Sequence, residues 1–184
     1  SDVVLFRSDD TVQTMTDARG ASATYAYNNR KLVTGITYGA PAGIAATPNV
    51  TFGYDAAGNR LWMEDGPGRM DYSYDTLSRL QTETRTFDAL TGTFQFSYTY
   101  NLAGQVKTIT DNRFSTALTY NYDKTGQFTN LTGTGYGSSQ TDFTSTTVPV
   151  KYRAWGGIKE INFGDALKST YSYGTRLQPT SYRL

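Results

Sequence analysis

Two residue types that carry much of protein chemistry are missing from this chain: it has no cysteine and no histidine. Without cysteine there are no disulfides, thiol nucleophiles or thiolate metal sites. Without histidine there is no Ser-His or Cys-His catalytic arrangement and no imidazole ligand. Charge of one sign is missing too. Lys+Arg 17 against Asp+Glu 16 leaves a formal net charge of +1, so no field draws the chain to nucleic acid or to an anionic membrane. Long apolar runs are absent: the longest, Val3 to Phe6, falls far short of the roughly 20 residues that span a bilayer. No signal-peptide or other targeting pattern is visible.

What is present is aromatic and β-branched. Of the 184 residues, 15 are tyrosine, 9 phenylalanine and 18 glycine, among about thirty threonines. Such residues fit a pleated, half-buried surface, while the strong helix formers are few. Aromatic residues recur two apart, as at Tyr25 and Tyr27, Phe52 and Tyr54, Tyr72 and Tyr74, Tyr98 and Tyr100, Tyr120 and Tyr122, and Tyr171 and Tyr173. In a strand, positions i and i+2 share a face, so each pair sets two rings on one side. Glycine-bearing turn signals separate these runs, which is the all-β pattern. The best helical alternative is Asp75 to Arg85, but sibling segments carry glycine at the corresponding place.

The pairs belong to a repeat. Their second members stand at Tyr27, Tyr54, Tyr74, Tyr100, Tyr122, Tyr152 and Tyr173, with long and short gaps alternating. A period in the twenties over seven copies marks units that bury their faces against one another. The alternation predicts that every second connection is elongated, the clearest insertions being Ala40 to Pro48 and Gly133 to Pro149. The second of these is a loop or an extra hairpin. Each unit reads as a β-hairpin. Asp55, Asp75, Asn101 and Asp123 follow the aromatic pair, and a short side chain there accepts a backbone N–H two residues on. Gly58, Gly104 and Gly126 come three residues later, where a type I turn with a bulge requires positive φ. Ser78 replaces the glycine in one copy and Arg30 sits in what reads as a shortened turn, so those two turns are expected to differ. An aliphatic or aromatic residue then opens the return strand, but the register across the hairpin is not legible.

Tyr-x-Tyr-Asp-x-x-Gly followed by Asn, Gln or Arg and an aliphatic resembles the YD repeat of the Rhs proteins. That family includes bacterial polymorphic toxins, shell components of insecticidal toxin complexes and the animal teneurins. The resemblance runs from about residue 24 to the end in seven copies, with a degenerate unit in residues 1–23, where Thr16 to Gly20 mimics the turn. It implies a single array over residues 1–184: about seven antiparallel hairpins in one curved, twisted sheet, a segment of a spiral β-shell. It implies as partners other YD repeats of a parent protein and an enclosed effector polypeptide, and a secreted or cell-surface location. The shell needs more strands than 184 residues supply, so the chain reads as an excised middle or a small outlier. The family's Asp-Pro autoprotease dipeptide has no counterpart here, and self-cleavage is not carried over.

The function expected is structural and non-enzymatic, a wall that encloses and protects a toxin or effector. The alternative is an extracellular adhesion or carbohydrate-binding module that uses exposed rings. Recurrence in every unit favours a cross-strand ladder, because a single binding site would make one copy unlike its siblings. The turn aspartates occupy equivalent places on different hairpins, which argues for geometry over paired-carboxylate catalysis. The nonapeptide spacing of calcium β-rolls is absent as well. No catalytic, cofactor-binding or metal residue is therefore named, and no cofactor is expected. Trp62 and Trp155 stand apart from their siblings as packing anchors. Open sheet edges lead one to expect self-association.

Overall fold

The computed structural model describes residues 2–136, 143–164 and 167–184, and all structured segments among them are strands, turns or bends. Contacts divide the chain into two units, Ser1–Gln95 and Phe96–Leu184. The first holds β1 (Val3–Phe6), β2 (Val12–Thr16), β3 (Ser22–Tyr27), β4 (Val33–Gly39), β5 (Val50–Tyr54), β6 (Arg60–Asp65), β7 (Gly68–Tyr74) and β8 (Leu80–Phe87). The strand β9 (Thr93–Tyr100) carries the chain into the second, which continues with β10 (Val106–Asp111), β11 (Thr116–Tyr122) and β12 (Phe128–Thr134). There follow β13 (Lys151–Tyr152), β14 (Ile158–Phe163), β15 (Leu167–Tyr173) and β16 (Pro179–Arg183).

Strand order follows chain order throughout, β1 to β12 in one sheet and β13 to β16 in another, and the paired strands are antiparallel. The all-β hairpin array expected from the repeat is thus present, divided into two sheets at the long insertion. The reason lies in residues 143–150, which run back along the last strand of the first sheet. Phe143 and Thr144 donate their N–H groups to the Leu131 carbonyl at 3.1 and 3.2 Å, and Val150 donates to Thr129 at 2.8 Å. That returning segment occupies the place where a paired strand would lie. The central part of the insertion, residues 137–142, lies outside the described residues. Connections between successive hairpins alternate as the gaps foretold: residues 40–49, 88–92 and 135–150 are long, while 66–67 and 112–115 are short. Segment 75–85, the helical candidate, is a turn followed by β8.

Register gives the sheet two unlike faces. Opposite residues in an antiparallel pair share a face, and Tyr98 meets Ile109, Tyr120 meets Leu131, Phe52 meets Met63 and Tyr25 meets Ile36. The other face is lined by hydroxyls and amides. Ser73 and Thr82 share a hydrogen bond of 2.6 Å, Thr99 and Thr108 another of 2.6 Å, and the Asn121 amide donates to Asn130 at 2.7 Å. Neither face is sealed. Val150 is the one buried hydrophobic residue among those described, and the exposed surface totals 12227 Å². A globular protein of this mass exposes about 8800 Å². Cohesion therefore rests on ladders, half-buried rings and turns more than on a dry core.

Candidate functional site

The feature that repeats is the hairpin tip. At Asp55 the backbone N–H bonds to the Asn59 carbonyl at 2.9 Å, and the Gly58 N–H returns to the Asp55 carbonyl at 3.2 Å. The same two bonds close the turns headed by Asn28, Asp75, Asn101, Asp123, Arg153 and Gly174. They also close an eighth hairpin tip, Arg7 to Asp10, that joins β1 to β2. Asp17 to Gly20, read from the sequence as the degenerate copy, makes the same closure at the opposite end of the strands, between β2 and β3. At the eight tips the register slips by one residue, for example between Gly53 and Tyr54 or Ser73 and Tyr74, which is the expected bulge, whereas the Asp17 turn has no slip.

The head side chain stabilises this geometry from within. Oδ1 of Asp75 accepts the N–H groups of Leu77 at 2.9 Å and Arg79 at 3.0 Å, and Oδ1 of Asn101 accepts those of Ala103 and Gln105 at 3.0 Å each. Asp123 accepts from Thr125 and Gln127 at 2.8 and 2.9 Å, and Asn28 from Arg30 and Leu32 at 2.9 and 3.1 Å. Sequence reasoning anticipated the first bond of each set but not the second. The carboxyls of these heads are held below the usual carboxylate range. At Asp55 the main cause is the Asn59 amide, at Asp75 the Arg79 guanidinium and at Asp123 the Thr125 hydroxyl. A carboxylate so engaged with its own turn is a structural acceptor.

Positive φ sits at the fourth place of every tip. Gly58, Gly104 and Gly126 have φ of 96°, 81° and 82°. The expectation that Ser78 and Arg30 mark different turns is corrected here. Ser78 itself adopts φ 58°, and in the Asn28 turn it is Lys31, one residue beyond Arg30, that adopts φ 61°. Asp10 at 66°, Gly156 at 95° and Leu177 at 60° complete the set. An L-residue costs about 1–2 kcal/mol in this region, and the two backbone bonds with the head side chain hold it there.

The second tyrosine of each pair performs a task that the sequence reading missed. In six of the seven copies its hydroxyl donates to a backbone carbonyl of the preceding hairpin. Tyr27 reaches Val12 at 2.9 Å, Tyr54 reaches Val33 at 2.7 Å and Tyr74 reaches Arg60 at 2.9 Å. In the second unit Tyr122 reaches Val106, Tyr152 reaches Phe128 and Tyr173 reaches Ile158, each at 2.8 Å. Tyr100 stands opposite Val106 in the register by which Tyr122 faces Phe128. Val12, Val33, Arg60, Val106 and Ile158 each lie two residues before their strand starts pairing with the next one. The ladder thus stops short at the bulge, and the phenol takes the place of a missing N–H. Burial raises the affinity of the Tyr74, Tyr122 and Tyr152 hydroxyls for their protons, which keeps them donors. A sequence signal was available: the second position is Tyr in all seven copies, whereas the first is also Phe52 or Val150.

The first rings, Tyr25, Phe52, Tyr72, Tyr98, Tyr120 and Tyr171, are half-buried, each on the face of its strand that carries the second ring. Tyr120 and Tyr122 flank Phe128, with ring centroids 6.1 and 6.3 Å from it. Tips also touch their neighbours. Arg30 donates to the Asp55 and Ala56 carbonyls at 2.6 and 2.7 Å, and Gln105 donates to Gly126 at 2.8 Å. Arginine replaces the acidic or amide head in the leading hairpin of each sheet. Arg7 bonds the Tyr25 carbonyl at 2.6 Å and lies 5.1 Å over the Tyr27 ring, and Arg153 bonds the Tyr171 carbonyl at 3.2 Å and lies 5.4 Å over the Tyr173 ring. Trp62 lies across Gly53 with Arg69 stacked 4.7 Å above it. Trp155 is 44% exposed and meets Tyr173 edge-on at 4.8 Å. Among the described residues no group of three or more acidic side chains could hold a metal ion.

These elements define an array of antiparallel hairpins whose tips share one closed turn, six of them stapled to the preceding hairpin by a tyrosine. The same fold is found in toxin-complex structures. TcdB2-TccC3-Cdc42 matches with a TM-score of 0.78 at 14% identity, and TcdB2-TccC3 with 0.77 at 15%. A mutant Tc holotoxin pore from Photorhabdus luminescens matches with 0.76 at 16%. Each match covers 98% of this chain and 10% of the other, so the chain spans about a tenth of their length. Over that length it has their fold, in accord with the Rhs-type resemblance of its motifs. No protein-family profile and no curated protein sequence matches the chain.

Proposed function

We propose that this chain is a non-enzymatic structural module, a wall segment of an Rhs-type shell that encloses and protects a toxin or effector polypeptide outside the cell. Residues 1–184 act in this reading as one repeat array whose partners are further YD repeats and the enclosed chain. The observation that carries it is the fold shared with the Tc structures over 98% of the sequence. The stapled tips support it, since they hold one hairpin to the next with bonds that any number of units can repeat. The alternative, an adhesion or glycan-binding module, is less favoured because the ring pairs recur in every unit.

The test uses the parent protein with its downstream polypeptide. Deleting this array while retaining that polypeptide should expose it to limited proteolysis. Equal protease resistance with and without the array refutes enclosure.

A further inference from the structure

The ring-bearing face of the first unit has one place where side-chain volume is missing. Two residues before the first ring, four other copies carry Val50, Met70, Phe96 and Leu118, whereas β3 carries Ala23. Ser169 is the other small residue at this place, and it is only 3% exposed, so its copy covers the gap with the chain's own atoms. Ala23 stands between Met15 of β2 and Tyr38 of β4 in one cross-strand row. Over it opens a groove of about 690 Å³, walled by Met15, Tyr25 and Tyr38 and by Pro41 and Ile44. The last two belong to the elongated connection 40–49, which is fastened in place. The Ile44 N–H bonds the Pro41 carbonyl at 3.1 Å across Gly43 at φ 81°, and Oδ1 of Asn49 accepts the Tyr38 N–H at 3.2 Å. Met15 is 44% exposed and Ile44 65%.

We propose that this groove binds an uncharged small molecule with an aromatic or branched aliphatic body. Its volume and its apolar walls are those of a small-molecule site. The occupant supplies the apolar bulk that Met70 or Phe96 supplies in a sibling hairpin. Charges at the rim are engaged within the chain. Oδ1 of Asp17 accepts the N–H groups of Arg19 and Ala21 at 2.8 and 3.0 Å, and Oδ2 accepts the Arg19 guanidinium at 2.9 and 2.7 Å. Asp2 accepts the Ala18 N–H at 3.1 Å. A charged ligand would give up its hydration without meeting an unengaged opposite charge. A peptide fits less well, because β2 and β3 are paired on both sides and offer it no backbone edge. Here one copy departs from its siblings, which is how a binding place differs from a ladder in a repeat array. The inference concerns a face of the first unit and does not rest on enclosure of an effector.

The probe is N-phenylnaphthylamine, an uncharged dye that brightens on leaving water. Its fluorescence titration should saturate at one molecule per chain. Ala23→Met, which fills the gap as Met70 does in a sibling, should weaken binding at least about ten-fold. Ile44→Asp should weaken it as well, at a site exposed enough to leave folding unchanged. Leu102→Asp removes another exposed apolar residue, far along the chain in the second unit, and should leave the affinity as it was. Far-UV circular dichroism checks that all variants keep the same strand content. Anilinonaphthalene sulfonate, a like ring system bearing a negative charge, should lose affinity relative to the neutral dye. Binding that does not saturate, that is equal in wild type, Ala23→Met and Ile44→Asp, or that falls as much in Leu102→Asp, overturns the site. A sulfonate bound as tightly as the neutral dye overturns the ligand class. Any of these results leaves the protease test of enclosure standing on its own.

Discussion

Tyr122→Phe isolates the staple. It deletes one oxygen and keeps the ring, so the contact with Phe128 at 6.3 Å persists. What is lost is the 2.8 Å bond to the Val106 carbonyl, a half-buried acceptor that the β10–β11 ladder does not reach. Net loss of a typical hydrogen bond costs about 0.5–1.5 kcal/mol, and a well-buried orphaned acceptor costs about 1–3. Water reaches this carbonyl in part, so about 1 kcal/mol is expected. For a chain of this size that corresponds to roughly 2–4 °C in the melting midpoint. Tyr120→Phe is the matched control, because among the described residues the Tyr120 hydroxyl has no carbonyl partner. Urea titration of both variants against wild type reads the difference. A Tyr122→Phe protein as stable as wild type, or a Tyr120→Phe protein weakened as much, refutes the claim that the phenol substitutes for a ladder N–H.

Leu177→Gly should raise the urea midpoint, since it relieves an L-residue at φ 60° and regains up to about 1 kcal/mol; a lower midpoint would contradict the turn geometry. Gly104→Val should cost about 1 kcal/mol or more, purely through the backbone, because no atom lies within 4 Å of the added Cβ; an unchanged melt counts against it. Acid should weaken the tips. The Asp55, Asp75 and Asp123 carboxyls titrate lower when folded, so their contribution is full at neutral pH and fades as pH drops below about 4. Asn substitutions at these heads should flatten that limb in pH-dependent melts. Alkali acts through the staples with the opposite sign. The Tyr74, Tyr122 and Tyr152 phenols titrate higher when folded, so their contribution is full below about pH 10 and is lost above it. Tyr→Phe at these positions should blunt the alkaline loss. Gly53→Val should displace Trp62, whose indole occupies the space of the new side chain, and a shift in tryptophan emission reports it.

The tip was legible because its signals are local. An Asp or Asn head with glycine three residues later states both the hydrogen-bond acceptor and the backbone region it needs, as at Asp55 and Gly58. Legibility failed where context overrides intrinsic preference. Nothing in Ser78, Lys31 or Leu177 announces positive φ; their places in the repeat do. The staple was illegible as a bond because it joins residues 14 to 24 apart in the chain, although the constancy of Tyr at its position recorded it. Division into two sheets could not be read from the Gly133 to Pro149 insertion, since its Thr and Ser content does not say that the chain returns along β12. Arginine in the head place at positions 7 and 153 was not read from the sequence. It marks the tips that lead a sheet, where the long side chain reaches across to the next hairpin.

The scarcity of sealed interior carries a thermodynamic consequence. Heat capacity of unfolding grows with the apolar surface that is newly wetted, and a chain that leaves 12227 Å² wet while folded uncovers about a sixth less than a compact protein of its mass. Its calorimetric step should be small for 184 residues, and its free energy should bend only gently with temperature. Cold would then threaten such a protein somewhat less than it threatens one with a sealed core.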